Sequence, residues 1–143
     1  MYQYLSSGLS NIWLKNGYKV HNTAYGEGIS IDNLEGLHQS IVMTLIRTPT
    51  KMTGDEFRFL RKELNLSQKK LADMMGVEDQ TIANWEKKHP TSLAERTMRL
   101  ISIAHYSDSG FQELVKALAE LDRQEHEDLY FEESDNGWQT TAA

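Results

Sequence analysis

Residues 66–86 decide the fold: Leu66-Ser67-Gln68-Lys69-Lys70-Leu71-Ala72-Asp73-Met74-Met75-Gly76-Val77-Glu78-Asp79-Gln80-Thr81-Ile82-Ala83-Asn84-Trp85-Glu86. Ser67 is a natural N-cap, because its hydroxyl can take one of the unpaired backbone N–H groups of a first helical turn. Leu71, Ala72 and Met75 follow at helical spacing, and Gly76 stands where a helix closes in the left-handed conformation. A second helix over 79–87 turns Ile82 and Trp85 inward. Only Gly76-Val77-Glu78 joins the two. Short helices with so tight a joint make a helix-turn-helix, or else part of some other small helical bundle.

The flanking sequence extends this helical unit. Thr53 and Glu56 form a capping box that opens a helix to about Leu64, with Phe57, Leu60, Arg61 and Leu64 on its inner side. Ser92 and Glu95 form another, for a helix ending near Tyr106 with Leu93, Thr97, Leu100, Ile101 and Ala104 facing the core. Ser109 and Gln112 open a fifth helix, on which Phe111, Leu114, Val115, Leu118 and Leu121 make an apolar stripe. That stripe is wider than one small domain needs, so Phe111, Leu114, Leu118 and Leu121 are candidates for a dimer contact.

The strings Leu66-Ser67-Gln68-Lys69-Lys70-Leu71-Ala72, Gly76-Val77 and Thr81-Ile82-Ala83-Asn84-Trp85-Glu86, at this spacing, resemble the Cro/C1-type (XRE-like) helix-turn-helix family over residues 53–105. The resemblance implies a lambda-repressor-like domain whose helix at 79–87 enters the major groove of duplex DNA. It implies Asp79, Gln80 and Asn84 at base edges, and Gln68, Lys69, Thr81, Lys87 and Lys88 at phosphates. It further implies an internal Arg61–Glu86 ion pair, structural in role. Amides suit adenine, whereas a carboxylate at 79 can accept from cytosine N4 but is repelled by phosphates. Glu78 departs from the family's hydroxyl N-cap, and Lys88 from its usual glycine. Both departures suggest modest affinity for one chain and so favour a homodimer. The string Thr53–Glu63 is similar to the first helix of the DNA-binding domain in MqsA-type antitoxins, which place a small zinc-binding domain ahead of it. Residues 1–47 have no Cys, so those zinc ligands are absent.

The N-terminal third reads as a small α+β unit. Asn16-Gly17 is a hairpin signal between strands at 10–15 and 18–23, with Ile29-Ser30-Ile31 as a third short strand and Tyr25-Gly26-Glu27-Gly28 as a turn. Asp32 and Glu35 fit a capping box for a helix carrying Leu34, Leu37, Ile41 and Leu45 and ending near Arg47, before Pro49. The organisation expected is a domain at 1–47, a linker at 48–52, a five-helix domain at 53–122 and an acidic tail at 123–143. Asp135-Asn136-Gly137 in that tail carries a turn signal.

Composition bounds the function. The chain has 143 residues, 39% hydrophobic and 25% charged, with no Cys. That is a globular composition without disulfides or thiolate metal sites. The first residues lack a basic n-region, so a cytoplasmic protein without membrane association is expected. The net charge of −6 is unevenly placed: bases against acids are three to three in 1–50, ten to eight in 51–100 and two to ten in 101–143. The middle third is therefore the part able to meet a polyanion. His21 and His38 lack a third ligand for a metal, and a cluster of Tyr25, Glu27 and His38 is not demanded by spacing. No nucleophile–base pair or phosphate loop is present, so neither an enzyme nor a cofactor is expected. The reading is a DNA-binding transcriptional regulator, a homodimeric autorepressor on a palindromic operator. The alternative is an antitoxin that neutralises a protein toxin and autoregulates its operon.

Overall fold

The computed structural model describes residues 1–107, 110–120 and 128–142, except for the side chain of residue 114. Short strands β1 (Tyr2–Gln3) and β2 (Trp13–Leu14) pair antiparallel, as do β3 (Tyr18–Thr23) and β4 (Gly26–Ile31). Six helices follow: α1 (Leu34–Arg47), α2 (Gly54–Glu63), α3 (Gln68–Met75), α4 (Asp79–Lys87), α5 (Ser92–Ser107) and α6 (Phe111–Ala119). A last antiparallel pair, β5 (Tyr130–Ser134) and β6 (Gly137–Thr141), lies within the stretch read as an acidic tail.

The strand pairing differs from the local hairpin expected at Asn16-Gly17. Gly17 does bend the chain at φ +78°, but the strands on either side of it take other partners. The true hairpin turns at Thr23–Gly26, where Gly26 adopts φ +115° and the Thr23 hydroxyl donates to the Gly26 carbonyl at 2.6 Å. That turn closes a six-pair ladder from Tyr18↔Ile31 to Thr23↔Gly26, so β3 spends its pairing edge on β4. The cap of α1 also differs. Asn33, not Asp32, occupies the N-cap at φ 50°, and its side chain accepts from the Gly36 N–H at 3.2 Å. Asn tolerates this left-handed geometry better than most residues.

One apolar cluster runs through the molecule. It joins Tyr4, Leu9, Leu14, Ile41 and Val42 to Phe57, Leu60, Leu71, Ile82, Met98 and Val115 without a break. The stretch 48–52, expected as a linker, is held fast. Met52 is buried, its N–H donates to Glu95 Oε2 at 2.9 Å, and Arg99 donates to the carbonyls of Thr48 and Thr50. Glu95 is therefore a tie between segments and not the partner in a Ser92 capping box. At that helix start Thr91 caps instead, its hydroxyl accepting from Ala94 N–H at 3.2 Å.

The phase of α5 is also shifted from expectation. Ala94, Met98, Ile101 and Ser102 are buried, while Leu93 and Leu100 point outward. The small residues Ala94 and Ser102 let α5 approach the core closely, and the Ser102 hydroxyl is satisfied by the Met98 carbonyl at 2.8 Å. On α6, Phe111 and Val115 are buried and Leu118 is half-buried. Phe111, offered as a dimer contact, is thus a core residue, because α6 lays this side against the domain and packs on α3. Ser109, Leu121 and the side chain of Leu114 lie outside the described residues.

Two predictions follow from this packing. A Cβ at Gly54 would stand 2.4 Å from the Glu86 carbonyl oxygen, where the start of α2 meets the end of α4. Gly54→Ala should cost about 1–3 kcal/mol of stability through overpacking, measured by urea denaturation. Glu95 gives the second. Burial alone would raise its pKa, but hydrogen bonds from Met52 N–H and Arg99, with the charges of Arg99 and Arg96, outweigh burial and lower it below the usual 4.5. A depressed folded-state pKa contributes stability above the unfolded pKa that is lost as pH falls through the lowered value. Glu95→Gln should therefore unfold more easily than wild type at neutral pH, and the difference should shrink under acid. Parallel urea titrations at neutral pH and below pH 4.5 read this directly.

Candidate nucleic-acid interface

The site is built on α3 and α4. Ser67 caps α3 by accepting from Lys70 N–H at 3.0 Å. Gly76 ends it at φ 70°, and the Val77 N–H returns to the Ala72 carbonyl at 3.0 Å. The chain then enters α4 at Glu78, which makes no side-chain cap bond. A Glu carboxylate is longer than the Ser or Thr hydroxyl that usually closes this position.

What locks α4 against its neighbours is a buried ion pair. Arg61 Nε donates to Glu86 Oε2 at 2.6 Å, and Nη2 to Oε1 at 3.1 Å. The remaining arm of the guanidinium reaches the Leu66 carbonyl at 2.9 Å, in the α2–α3 turn. Both side chains are buried. Arg58, largely exposed on α2, stands 3.9 Å from Glu86 Oε1 and adds a cation at the rim. Trp85 packs its ring edge-to-face with Phe57 at 5.9 Å and is half-buried, so it belongs to the core.

The outer face of α4 displays Asp79, Gln80 and Asn84, all exposed, and Gln80 Nε2 donates to Asn84 Oδ1 at 3.0 Å. Thr81 is half-buried beside them, and Lys87 and Lys88 are exposed at the C-terminal end. Gln68 opens α3 and donates its amide to Glu86 Oε1 at 3.2 Å, which orients it from behind. Lys69 lies 3.8 Å from Asp73, one turn along α3.

The histidines are placed elsewhere. His21 bonds Ser30 across the β3–β4 pair at 2.8 Å. Tyr25 is fully exposed, and His38 does not meet it or Glu27: His38 bonds Tyr4 through Nε2 at 2.7 Å and Glu63 through Nδ1. Burial, then the Glu63 charge, pushes the Tyr4 phenol above its ordinary pKa, so it stays a proton donor. This bridge ties the N-terminal strand and α1 to α2, and sequence spacing gave no signal of it. Among the described residues, no group of three His, Cys, Asp or Glu is placed to hold a metal ion. No helix among them is long and apolar enough to cross a membrane.

Compared with known proteins, residues 57–104 match the helix-turn-helix family model. The chain carries an XRE-like helix-turn-helix DNA-binding domain. No curated protein and no solved structure matches it. The helix-turn-helix domain is a DNA-binding and non-catalytic one, and its presence supports a role for the chain in DNA-binding transcriptional regulation. The matched span runs from Phe57 in α2 to Ala104 in α5, and so contains the Arg61–Glu86 pair and the whole outer face of α4.

Removing Glu86 would leave the buried Arg61 guanidinium without its counter-charge. Glu86→Ala should destabilise the helix-turn-helix domain by about 3–5 kcal/mol. Guanidinium chloride unfolding measures the loss. Unchanged stability with weakened DNA binding would make Glu86 an interface residue instead.

Proposed function

We propose that the chain is a homodimeric repressor that binds a palindromic operator, including one at its own promoter, with α4 in the major groove. The observation that carries this reading is the Gln80–Asn84 amide pair, exposed one turn apart on a helix that the Arg61–Glu86 fork holds in place. An exposed amide can give both a donor and an acceptor to adenine N7 and N6, and the bond between these two pre-orders their planes before DNA arrives. Asp79 stands beside them with a carboxylate that accepts from cytosine N4.

Gln68, Lys69, Thr81, Lys87 and Lys88 are the proposed phosphate contacts. The first backbone N–H groups of α3 carry the positive end of its dipole, and Gln68 sits there with its amide carbonyl free of the Glu86 bond. Lys87 and Lys88 close the far end of the same face. One such helix reads only a few base pairs, and Glu78 and Asp79 lower its affinity further. Two copies related by a twofold axis would read two half-sites about 34–36 Å apart on one side of the duplex. A dimer bound there blocks polymerase by occupancy.

Asn84→Ala should cost about 1–3 kcal/mol on the footprinted operator and much less on random duplex. Gel-shift titrations of both duplexes at one salt concentration test this. Equal losses on the two would remove Asn84 from base reading.

A further inference from the structure

The structure leaves two apolar faces open. One is the outer stripe of α5, where Leu93 is 77% exposed, Leu100 67% and Ile103 43%, with the exposed Arg96 among them. Positions 93, 96, 100 and 103 fall at alternating three- and four-residue steps, one continuous side of a helix. The other is the C-terminal hairpin. In the β5–β6 register Glu133 faces Trp138 and Phe131 faces Thr140, so Phe131, Glu133 and Trp138 share one side of the ribbon. Phe131 is 56% exposed and Trp138 70%, and every residue of both strands is exposed.

Neither face is stable chemistry when left alone. A two-stranded ribbon is marginal in water unless a third strand or a helix covers it. A helix with leucines outward lacks the cover its apolar stripe calls for. Their charges are opposite: Arg96 and Glu133 form no ion pair with any described residue. Their dimensions agree as well. Leu93 to Ile103 rises about 15 Å along a helix, and a pair of strands with positions 131 and 133 covers about 7 Å of it. That is enough to seat the aromatics around Leu100 and to bring Glu133 to Arg96.

We propose that the Phe131–Glu133–Trp138 face docks on the Leu93–Arg96–Leu100–Ile103 stripe of a second copy of this chain, and reciprocally. This deepens the dimer proposed above by assigning its contact. Within one chain both faces stand open, so the hairpin does not cover its own α5. Exchange between two chains makes the contact twice about a twofold axis, as a symmetric dimer requires.

Charge reversal tests this with side chains that are exposed in the folded chain. In sedimentation equilibrium, Arg96→Glu and Glu133→Arg should each weaken the dimer at least about tenfold, since each places two like-charge contacts in every homodimer. An equimolar mixture of the two variants should restore the dimer. The mixed pair puts Glu at 96 of one chain against Arg at 133 of the other, and keeps the natural pair at its second contact. Leu100→Asp should weaken association without partner rescue, and circular dichroism should show the fold unchanged. A dimer indifferent to both reversals, or a mixture no tighter than either variant alone, would overturn the exchanged contact. A wild-type monomer at all concentrations that still protects an operator would also overturn it, while leaving the reading of α4 standing.

Discussion

The fork between Arg61 and Glu86 is the constraint on which the rest of the DNA-binding domain depends. Apolar contact brings α2, α3 and α4 together, but burial of Leu60, Leu71 and Ile82 is satisfied over a range of helix rotations. A bidentate guanidinium–carboxylate contact is satisfied over a narrow one. Arg61 adds the Leu66 carbonyl, so one side chain sets α2, the turn after it and α4 at once. Glu86 adds Gln68, so the first residue of α3 is oriented by the same carboxylate. The ion pair carries no base information. It fixes the plane from which Gln80 and Asn84 project. Gly54 completes the arrangement, since only a residue without a Cβ lets the start of α2 meet the Glu86 carbonyl so closely.

The second tie connects this domain to what precedes it. Tyr4, His38 and Glu63 form a chain of hydrogen bonds from β1's end through α1 to the last residue of α2. A carboxylate oxygen accepts, so His38 donates to Glu63 through Nδ1, while its Nε2 meets the Tyr4 hydroxyl on the other side of the ring. Arg99, Glu95 and Met52 make a parallel tie through the 48–52 stretch. With the apolar cluster continuous across both ties, residues 1–47 are packed against the helices and not strung ahead of them. A change of orientation in α1 would reach Glu63, and Glu63 closes the helix that carries Arg61.

The parts legible in the sequence are those decided within a few residues. Thr53 with Glu56, Ser67 before α3 and Gly76 after it are local devices, and each stands in the structure as a cap or a left-handed stop. The helix-turn-helix was legible for the same reason, with a three-residue joint and apolar residues at helical spacing. What the sequence hid were choices made by distant partners. Leu14 sits beside an Asn-Gly signal, yet its strand pairs with Tyr2–Gln3 because the core takes up Tyr4, Leu9 and Leu14 together. On α5, two adjacent apolar stripes fit the same periodicity, and the small side chains of Ala94 and Ser102 decided which one turned inward. Glu95 suggested a capping box, whereas its partners came from residue 52 and residue 99. His38 gave no sign at all, since its partners lie 34 and 25 residues away. For the interface, the outward set on α4 was readable because Ile82 and Trp85 define its opposite side. The restraint of Gln68 by Glu86 was not.

The acids at the start of α4 show how folding and binding pull on the same residues. The N-terminus of a helix favours negative charge, so Glu78 and Asp79 suit the α4 dipole even though Glu78 supplies no capping bond. With α4 in the groove as proposed, duplex DNA would meet this end of the helix with phosphates, for which the same charges are unfavourable. Glu86 adds little to that repulsion, because Arg61 neutralises it and the protein buries it. The cations left on the face are Lys69, half-engaged with Asp73, and Lys70, Lys87 and Lys88. Against two exposed carboxylates at the helix start they leave a small positive surplus at best. On the proposed reading, non-specific attraction is then weak, and selectivity for a particular duplex rests on the amides of Gln80 and Asn84. On that same reading amide contacts are few on one chain and double on two, so a face of this composition would gain more from a second copy than from added charge.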